Sequence, residues 1–306
     1  MGQDFVHKLL GKIFPVDYSG KFLQLDFRGG LCNKLHFLIS ACDIAMDKNC
    51  SLIEPEFGWK EKILFSDIFD LDHFNASMAA YTNGRSIMLP LSQINSEDRV
   101  RNNMNLWKYS EKELSKERID CQVSSCSTKA RVLKALRLRP EYEQLVAAHV
   151  QAPFTALQVR TESDWVAYAK KKTVGNNETL LINLEDLLKM VAEFDLVGDL
   201  FFTSGENHQQ LLVAFQSLGV NPYYFYQPNL EYEINAAINF EICCRAHYFI
   251  GLSRSSYSNL VALKRALILG NDQSFIYNLN DKIIRRIDKG LQAIAHDSVT
   301  KETTIV

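Results

Sequence analysis

The second half of the chain alternates apolar runs of strand length with amphipathic runs of helix length, and this alternation constrains the fold more than any other feature. The apolar runs lie at 154–159, 200–203, 223–226 and 247–251. Helical periodicity occupies the intervals and continues to Leu269. Strands that alternate with helices form a parallel sheet with helices on both faces. The pattern therefore predicts an α/β fold.

The first half begins with a strand, a glycine turn and a helix. We predict a strand over Phe22 to Phe27, a turn at Gly29 and Gly30, and a helix from about Asn33 to Asp47. Glycines allow a tight turn, and a helix N-terminus presents free N–H groups to an anion. The turn is neither a Gly-x-Gly-x-x-Gly nor a Walker lysine motif, so alone it leaves the ligand open.

The helical predictions that follow are less uniform along the chain. Residues 75–130 are polar and weakly patterned, so we expect short helices and loops there. A longer amphipathic helix is predicted over Glu178 to Phe194, and a basic amphipathic helix over 282–296. Asp70-Leu71-Asp72 has a spacing that can hold a divalent metal, but it lies among phenylalanines. A packed loop or helix end is the favoured interpretation, and no metal is expected.

Composition excludes several classes of protein. The 306 residues include 47% hydrophobic and 23% charged side chains, which is typical of a soluble globular protein. The net charge of −2 gives no hint of a nucleic-acid partner, which would require a basic face, although local basic patches could still bind phosphate. No apolar run approaches the roughly 20 residues of a membrane span or the core of a signal peptide. We therefore expect no transmembrane segment and a cytoplasmic location. The seven cysteines form no Cys-x-x-Cys pair, so we expect buried or free thiols in a reducing compartment.

Charged residues follow the first apolar run of the second half directly. Phe154 to Val159 reads as a buried strand, and Arg160, Glu162 and Asp164 come next. Ligands of parallel sheets lie beyond the carboxyl ends of the strands. An arginine there offers a planar fork of donors to a phosphate or carboxylate. The alternative, an arginine paired with its own neighbouring carboxylates, stays open on these residues alone.

Two other predicted strands also end in small polar residues. Thr203 and Ser204 end one of them, and the stretch from Ser253 to Ser258 ends the other. Hydroxyls and backbone N–H groups at a helix start can face a phosphate together. The alternative is N-capping, but one serine suffices for a cap and this stretch holds four.

Four stretches, in this order, resemble motifs of the protein O-fucosyltransferase family and its wider fucosyltransferase superfamily. They cover most of the chain except roughly 75–130. They are 29–35 with its glycines and Asn33, 65–74, the Gln-x-Arg stretch 158–165, and the serine-rich stretch 249–258.

The resemblance implies a GT-B-like α/β fold in which two Rossmann-like domains place parallel sheets on either side of a central cleft. Residues 1–150 would form the N-terminal domain on the acceptor side. Residues 151–280 would form the nucleotide-sugar-binding domain, followed by a helix at 281–297 and a tail at 298–306.

The resemblance also implies a metal-independent, inverting transfer of a sugar, most often fucose, from a GDP-sugar to a hydroxyl of a glycan or polypeptide, with no cofactor. Arg160 would bind the diphosphate and stabilise the charge on departing GDP, and Asn33 would contact the sugar or the β-phosphate. The alternative is a non-catalytic descendant that binds a nucleotide or glycan. The expected donor-binding residues are Gly29, Gly30, Leu31, Cys32, Gln158, Asp164, Thr203, Ser204, Glu206, Ser255, Ser256 and Tyr257.

The chain departs from the family pattern in three respects. Gln158 replaces the usual histidine of the motif. Relatives often have an aspartate that contacts the base after the strand at 200–203, where Glu206 is the available substitute. The general base is unassigned: Asp26 and His36 flank the glycine turn, and the leaving phosphate is an alternative proton acceptor.

Overall fold

The structure is a computed structural model that describes residues 22–25, 29–47, 49–58, 61–94, 99–101, 127–172 and 178–286. Within these residues the strands form a four-stranded and a six-stranded sheet. The strands are β1 (Phe22–Gln24), β2 (Ser51–Ile53), β3 (Met88–Leu89), β4 (Arg99–Arg101), β5 (Phe154–Gln158), β6 (Asp199–Thr203), β7 (Pro222–Tyr223), β8 (Tyr248–Gly251), β9 (Ser274–Leu279) and β10 (Lys282–Arg285). The α-helices are α1 (Leu31–Asp47), α2 (Phe65–Ile68), α3 (Leu71–Met78), α4 (Thr128–Ala135), α5 (Pro140–His149), α6 (Ser163–Ala169), α7 (Leu184–Ala192), α8 (His208–Gln216), α9 (Tyr232–Arg245) and α10 (Ser256–Ile268).

The four-stranded sheet has the order β3-β2-β1-β4, and all its pairings are parallel. The predicted strands at the start of the chain and after residue 50 are confirmed within the described residues. The first helix begins at Leu31, two residues before the predicted start. It follows β1 through the glycine turn, so its N-terminus lies at the carboxyl edge of the sheet.

The six-stranded sheet has the order β10-β9-β8-β5-β6-β7, and only β10 is antiparallel to its neighbour. The predicted parallel sheet is confirmed. Strand β5 lies in the middle, with β6 on one side and β8 on the other. The register pairs Gln158 with Thr203, so these two strands end level with each other.

Both faces of the six-stranded sheet are buried, which explains why its strands are continuously apolar. Phe154 and Ala156 of β5 face a cluster that also contains Phe249 of β8. Leu157 and Val159 face the opposite side, where α6, α7 and α8 contribute to a second cluster. Side chains along a strand alternate between faces, so this one sequence run supplies both cores.

The first of these clusters is continuous with the core of the smaller sheet. It contains Leu23 of β1 and Leu35 of α1 together with Phe249 and Leu260 of the second half. Helix α1 packs against α4, α9 and α10. The two sheets are therefore joined by a shared apolar layer. The division into domains at residues 150 and 151 stays a prediction.

The predicted C-terminal helix is wrong over 282–285, which form β10. Strand β9 was not predicted, and it pairs with β10 through a turn in which Asn280 and Asp281 both have positive φ. Such a turn matches the right-handed twist of an antiparallel hairpin. The rest of the predicted helix and the tail lie outside the described residues.

The predicted helix over 178–194 begins later than expected, at Leu184. Asn183 caps it by accepting a hydrogen bond from the Asp186 N–H at 2.8 Å. Glu178 instead lies in extended chain beside β9, where the Thr179 N–H donates to the Asn278 carbonyl at 3.0 Å. This pairing removes the first turns of the predicted helix.

Candidate active site

Three adjacent strands end in polar residues at one edge of the six-stranded sheet. Strand β5 leads to Arg160, β6 leads to Ser204, and β8 leads to the turn at 252–255 that precedes α10. The sequence predicted these three polar ends separately. The strand order brings them together, with Arg160 from the central strand.

Gln158 ties the central strand to the serine turn. Its side chain is buried, and its Oε1 accepts hydrogen bonds from Ser255 Oγ at 3.0 Å and from Ser258 Oγ. Ser255 is also the N-cap of α10, accepting from the Ser258 N–H at 3.3 Å. The N-capping interpretation is therefore confirmed for Ser255, whose hydroxyl hydrogen goes to Gln158, whereas phosphate binding by the turn stays a prediction.

Arg160 is held by its own neighbours. Its Nε lies 3.4 Å from Glu162 Oε2 and its Nη2 lies 3.2 Å from Asp164 Oδ2. The guanidinium also lies over the Trp165 ring, with Cζ 5.0 Å from the centroid. The self-paired arrangement left open by the sequence is therefore present, and the Arg160 side chain is still 21% exposed.

Glu162 and Asp164 differ in how they are held. Glu162 is buried, and its Oε1 accepts from the Gly205 N–H at 2.7 Å and from Ser204 Oγ at 3.2 Å, which links the end of β5 to the end of β6. Asp164 is on the surface, with a side chain that is 73% exposed. Glu206 is also exposed, and its Oε1 accepts from the Ser163 N–H at 3.0 Å. The sequence showed that Glu162, Asp164 and Glu206 are charged, but it did not predict that Glu162 links the ends of two strands.

A buried ionic network that the sequence did not reveal supports the serine turn from behind. Glu178 lies 3.0 Å from Arg254 Nε through each carboxylate oxygen and accepts from Ser253 Oγ. Asn278 of β9 donates to Ser253 Oγ at 2.8 Å and accepts from the Ser253 N–H at 2.9 Å. Since Glu178 was assigned to a helix, no local signal pointed to this contact.

Tyr257 does not join the polar turn. Its ring packs against the core beside Phe240, with centroids 5.8 Å apart, and its hydroxyl lies 3.7 Å from Cys243 Sγ. Burial raises the pKa of Tyr257 well above its usual value. Of the neighbouring residues Ser256 and Tyr257, both predicted to bind the donor, Ser256 is the one that stays near the serine turn. It is partly buried at the start of α10.

The glycine turn lies at the N-terminus of α1, as predicted. Gly29 has a φ of +81°, a backbone conformation that L side chains rarely adopt, so a substitution there would be strained. Asn33 is partly buried, whereas the side chains of Leu31 and Cys32 are in the core. Burial raises the pKa of the Cys32 thiol well above its usual value. From these two residues only backbone atoms are available to a ligand.

The N-terminus of α1 already has a carboxylate, supplied by Glu233 of α9. Glu233 is buried, and it interacts with the Leu31 N–H and with Lys34 Nζ, which lies 3.3 Å from its Oε1. Lys34 is also buried and donates to the carbonyls of Phe57 and Gly58. Burial raises the pKa of Glu233, and Lys34 opposes that rise. The sequence predicted neither partner, because they lie 199 positions apart.

The two residues considered as general bases remain unassigned. His36 is buried within α1, three positions beyond Asn33, and Asp26 lies outside the described residues.

Asp70 is the N-cap of α3, accepting from the His73 N–H at 2.8 Å, and a hydrogen bond from Arg137 lowers its pKa. The packed helix end predicted for the Asp70 stretch is confirmed.

The described ranges contain no group of three or more His, Cys, Asp or Glu side chains placed to hold a metal ion. Nor does the described part of the chain contain a helix both long and apolar enough to cross a bilayer. That the reaction needs no metal stays a prediction.

Comparison with known proteins gives one family match and several structural neighbours. The family described as GDP-fucose protein O-fucosyltransferase matches residues 22–268. A curated relative, O-fucosyltransferase 23 of Arabidopsis thaliana, is 26% identical over 133 residues, which span 37% of this chain and 29% of that protein. The chain therefore aligns with less than a third of that relative.

The structural neighbours confirm the predicted fold class. A structure of POFUT1 in complex with GDP superposes with a TM-score of 0.55 at 15% identity, covering 82% of this chain and 95% of that chain. NodZ α-1,6-fucosyltransferase soaked with GDP-fucose gives a TM-score of 0.55 at 14% identity, covering 87% of this chain and 99% of that chain. At these identities the likeness shows the fold alone, a GT-B arrangement of mixed α/β layers with parallel sheets.

The cytoplasmic location expected from the sequence is wrong. Members of the matching family, including plant proteins such as the Arabidopsis relative, act in the lumen of the secretory pathway. The expectation relied on the first residues of the chain, which precede the matched range. The reducing compartment inferred for the cysteines is withdrawn with it, because burial alone explains the five described free thiols.

The family match and the structural neighbours agree with the motifs at the strand ends. The matched range includes the glycine turn, Arg160 and the serine turn before α10. It covers well over half of the sequence. The chain belongs to the GDP-fucose protein O-fucosyltransferase family.

Proposed function

We propose that the protein transfers fucose from GDP-fucose to a hydroxyl group of a glycan or polypeptide. The observation that carries this proposal is the position of Arg160, a cation at the end of the central strand between two other polar strand ends. Family membership and the neighbours solved with GDP or GDP-fucose support the same donor. In this proposal residues 151–280 hold the donor and residues 1–150 face the acceptor.

The diphosphate binds Arg160 by replacing Asp164. An ion pair with an exposed carboxylate contributes only about 0–1 kcal/mol, so a doubly charged ligand displaces it at little cost. Glu162 stays in place because Ser204 and Gly205 hold its other oxygen. With Trp165 beneath it, the guanidinium keeps its orientation, and a fixed fork of donors can bind two phosphate oxygens at once.

The polar ends of the neighbouring strands complete the donor site. Ser255 is committed to Gln158, so Ser256 and the free N–H groups at the start of α10 face the phosphates. Thr203, Ser204 and Glu206 lie on the other side of Arg160, towards the nucleoside. The exposed Glu206 carboxylate takes the place of the base-contacting aspartate of relatives.

The proposed reaction inverts the anomeric carbon and needs no metal. The bond from that carbon to the β-phosphate oxygen breaks, and a bond to the acceptor oxygen forms on the opposite face. The electron pair of the broken bond leaves with GDP, whose new charge Arg160 stabilises. The acceptor proton passes to the leaving phosphate. Asn33 lies on the glycine side, where the sugar is placed.

The test is the substitution Arg160→Ala. We expect turnover of GDP-fucose to fall about 10²- to 10³-fold, the usual loss when a donor to a developing anion is removed. GDP should raise the melting temperature of the wild-type chain, because a ligand that binds only the folded state stabilises it. This rise should shrink in the variant.

Arg139→Ala is the matched control, because that arginine pairs with exposed Glu141 and donates to the Ser66 carbonyl, outside the six-stranded sheet. It should change neither turnover nor the response to GDP. Undiminished turnover in Arg160→Ala, or a wild-type chain that does not bind millimolar GDP in calorimetry, would refute the proposal.

One observation favours a second candidate, a protein that binds the donor without transferring the sugar. Arg160 is neutralised by two carboxylates, and Gln158 provides no titratable ring beside it. Mass spectrometry of products after incubation with mixed GDP-sugars separates the two: transfer or donor hydrolysis eliminates the second candidate.

A further inference from the structure

Three aromatic rings form a parallel stack beside the proposed donor site, and the reaction as proposed gives them no role. The His208 ring lies 5.0 Å from the Tyr224 ring and 5.1 Å from the Tyr226 ring, centroid to centroid. The interplanar angles are 21° and 19°. These distances are typical of rings in contact.

The stack is anchored at its inner end and in its middle. Tyr224 packs against Phe202 of β6, with centroids 5.4 Å apart. His208 Nε2 lies 3.0 Å from the Ser204 carbonyl oxygen. A carbonyl oxygen only accepts, so this nitrogen carries the proton and the ring orientation is fixed. Tyr226 forms the outer end and is 51% exposed.

The position of the stack relates it to Arg160. Tyr226 follows β7 by three residues, so it lies at the same carboxyl edge as the other polar strand ends. Strand β7 is two strands from β5, a lateral distance of about 10 Å at the usual strand spacing. In a nucleoside diphosphate the ribose separates the phosphates from the planar base, so phosphates on Arg160 would leave the base displaced to one side, towards the stack.

We infer that the Tyr224–His208–Tyr226 stack is the wall against which the purine of the donor lies, with Tyr226 in face-to-face contact with it. The inference rests on the proposed function, because it takes the diphosphate to be on Arg160. Because the three rings of the stack are already ordered in the protein, binding the purine as a fourth ring costs little conformational entropy. Purines have a larger face than pyrimidines, so the wall also selects GDP over UDP.

The experiment measures GDP binding to full-length variants by calorimetry. Tyr226→Ala should weaken GDP binding about 5- to 100-fold, the range that loss of base stacking gives. Tyr226→Phe keeps the ring and should bind like wild type. Tyr81→Ala removes a tyrosine of similar exposure that lies in a helical turn beside Arg131 of α4, and it should have no effect.

A fluorescent variant tests contact directly. In Tyr226→Trp, GDP should quench the emission of the new indole beyond any change in wild type. The inference is overturned if wild type binds GDP and Tyr226→Ala binds it equally well, or if the new indole is not quenched at saturating GDP. It is also overturned if Tyr226→Ala changes only the KM for the acceptor. A wild-type chain that fails to bind GDP would instead refute the proposed function itself.

Discussion

Arg160 has two carboxylate partners, and the environments of the two assign them different roles. Glu162 is buried and bound by groups of β6, so it belongs to the scaffold. Asp164 is exposed and makes one contact with the guanidinium at 3.2 Å. In the proposed complex, a diphosphate competes with Asp164 for the same donors, so we infer that Asp164 acts as a placeholder for the ligand.

This role predicts that Asp164→Asn binds GDP more tightly than wild type. Removing a competing charge worth up to about 1 kcal/mol should tighten binding up to about fivefold at low ionic strength, with a smaller gain at high salt. Calorimetric titration with GDP at two salt concentrations measures the effect.

Asp272→Asn is the control for the change in net charge. Asp272 is similarly exposed and pairs with Arg285 at 2.8 Å, away from the strand ends. It should leave GDP affinity unaltered. Weaker binding by Asp164→Asn would contradict the placeholder role and show that Asp164 orients Arg160.

The positions of single residues were predictable where they follow from local sequence. Arg160 and Ser255 were expected beyond strand ends because each comes soon after an apolar strand, and they lie there. The partners of these residues were not all local. That Gln158 takes the Ser255 hydroxyl depends on β5 and β8 being adjacent, and a strand order is not written in any one stretch of sequence.

At the level of elements, one buried ion pair connects α1 to α9. Lys34 and Glu233 are both almost inaccessible, and the carbonyls of Phe57 and Gly58 take further hydrogen bonds from the lysine. Burying two charges is costly, and their attraction offsets that cost only while both are present. The pair therefore fixes the glycine turn relative to the second half of the chain.

Breaking the pair should destabilise the protein strongly. We expect Lys34→Met to lower the free energy of unfolding by about 3–5 kcal/mol, because Glu233 is left as an uncompensated buried charge. The double variant Lys34→Met with Glu233→Met should recover most of this loss. Equilibrium denaturation in urea measures all three proteins.

Lys189→Met is the matched control on the surface. Lys189 pairs with Glu185 at 2.9 Å, and both side chains are mostly exposed, so the substitution should leave the free energy of unfolding nearly unchanged. A cost for Lys34→Met as small as this, or a double variant no better than the single one, would contradict the proposed role.

Most elements were predictable from periodicity alone, and the errors occurred where tertiary contacts override it. The strands of the parallel sheet were found because burial on both faces leaves long apolar runs. The stretch 282–285 was assigned to a helix, but pairing with β9 makes it a strand. Residues near Glu178 lost their predicted helix to contacts with Asn278.

On the scale of the whole molecule, the two sheets share one apolar cluster. Side chains of β1 and α1 are in the same cluster as side chains of β5, β8, α9 and α10. Neither sheet can unfold without exposing part of the other's core. This arrangement predicts one cooperative unfolding transition, although chains of this size commonly show more.

Differential scanning calorimetry tests this expectation. A single transition is expected, with a calorimetric enthalpy equal to the van't Hoff enthalpy. Two resolved transitions would contradict this expectation. If GDP raised the midpoint temperature of only one of them, the two halves would be shown to unfold independently.

The fold class was predictable because a parallel α/β sheet leaves its signature in every strand and helix. The shared core and the Lys34–Glu233 pair were not, because they join segments far apart in sequence. Location was not predictable from the chain's first residues either. Family membership corrected it, because the match rests on residues 22–268 and not on the chain's beginning.

Glu233 places a carboxylate at the start of α1, where Lys34 pairs with it. A helix start normally attracts anions, but here the protein has filled that position with an anion of its own. In the proposed function, the glycine turn therefore receives the uncharged hexose and Arg160 receives the charged phosphates. We then expect the sugar nucleotide to bind in a single direction, with the hexose towards Asn33 and the phosphates towards the six-stranded sheet.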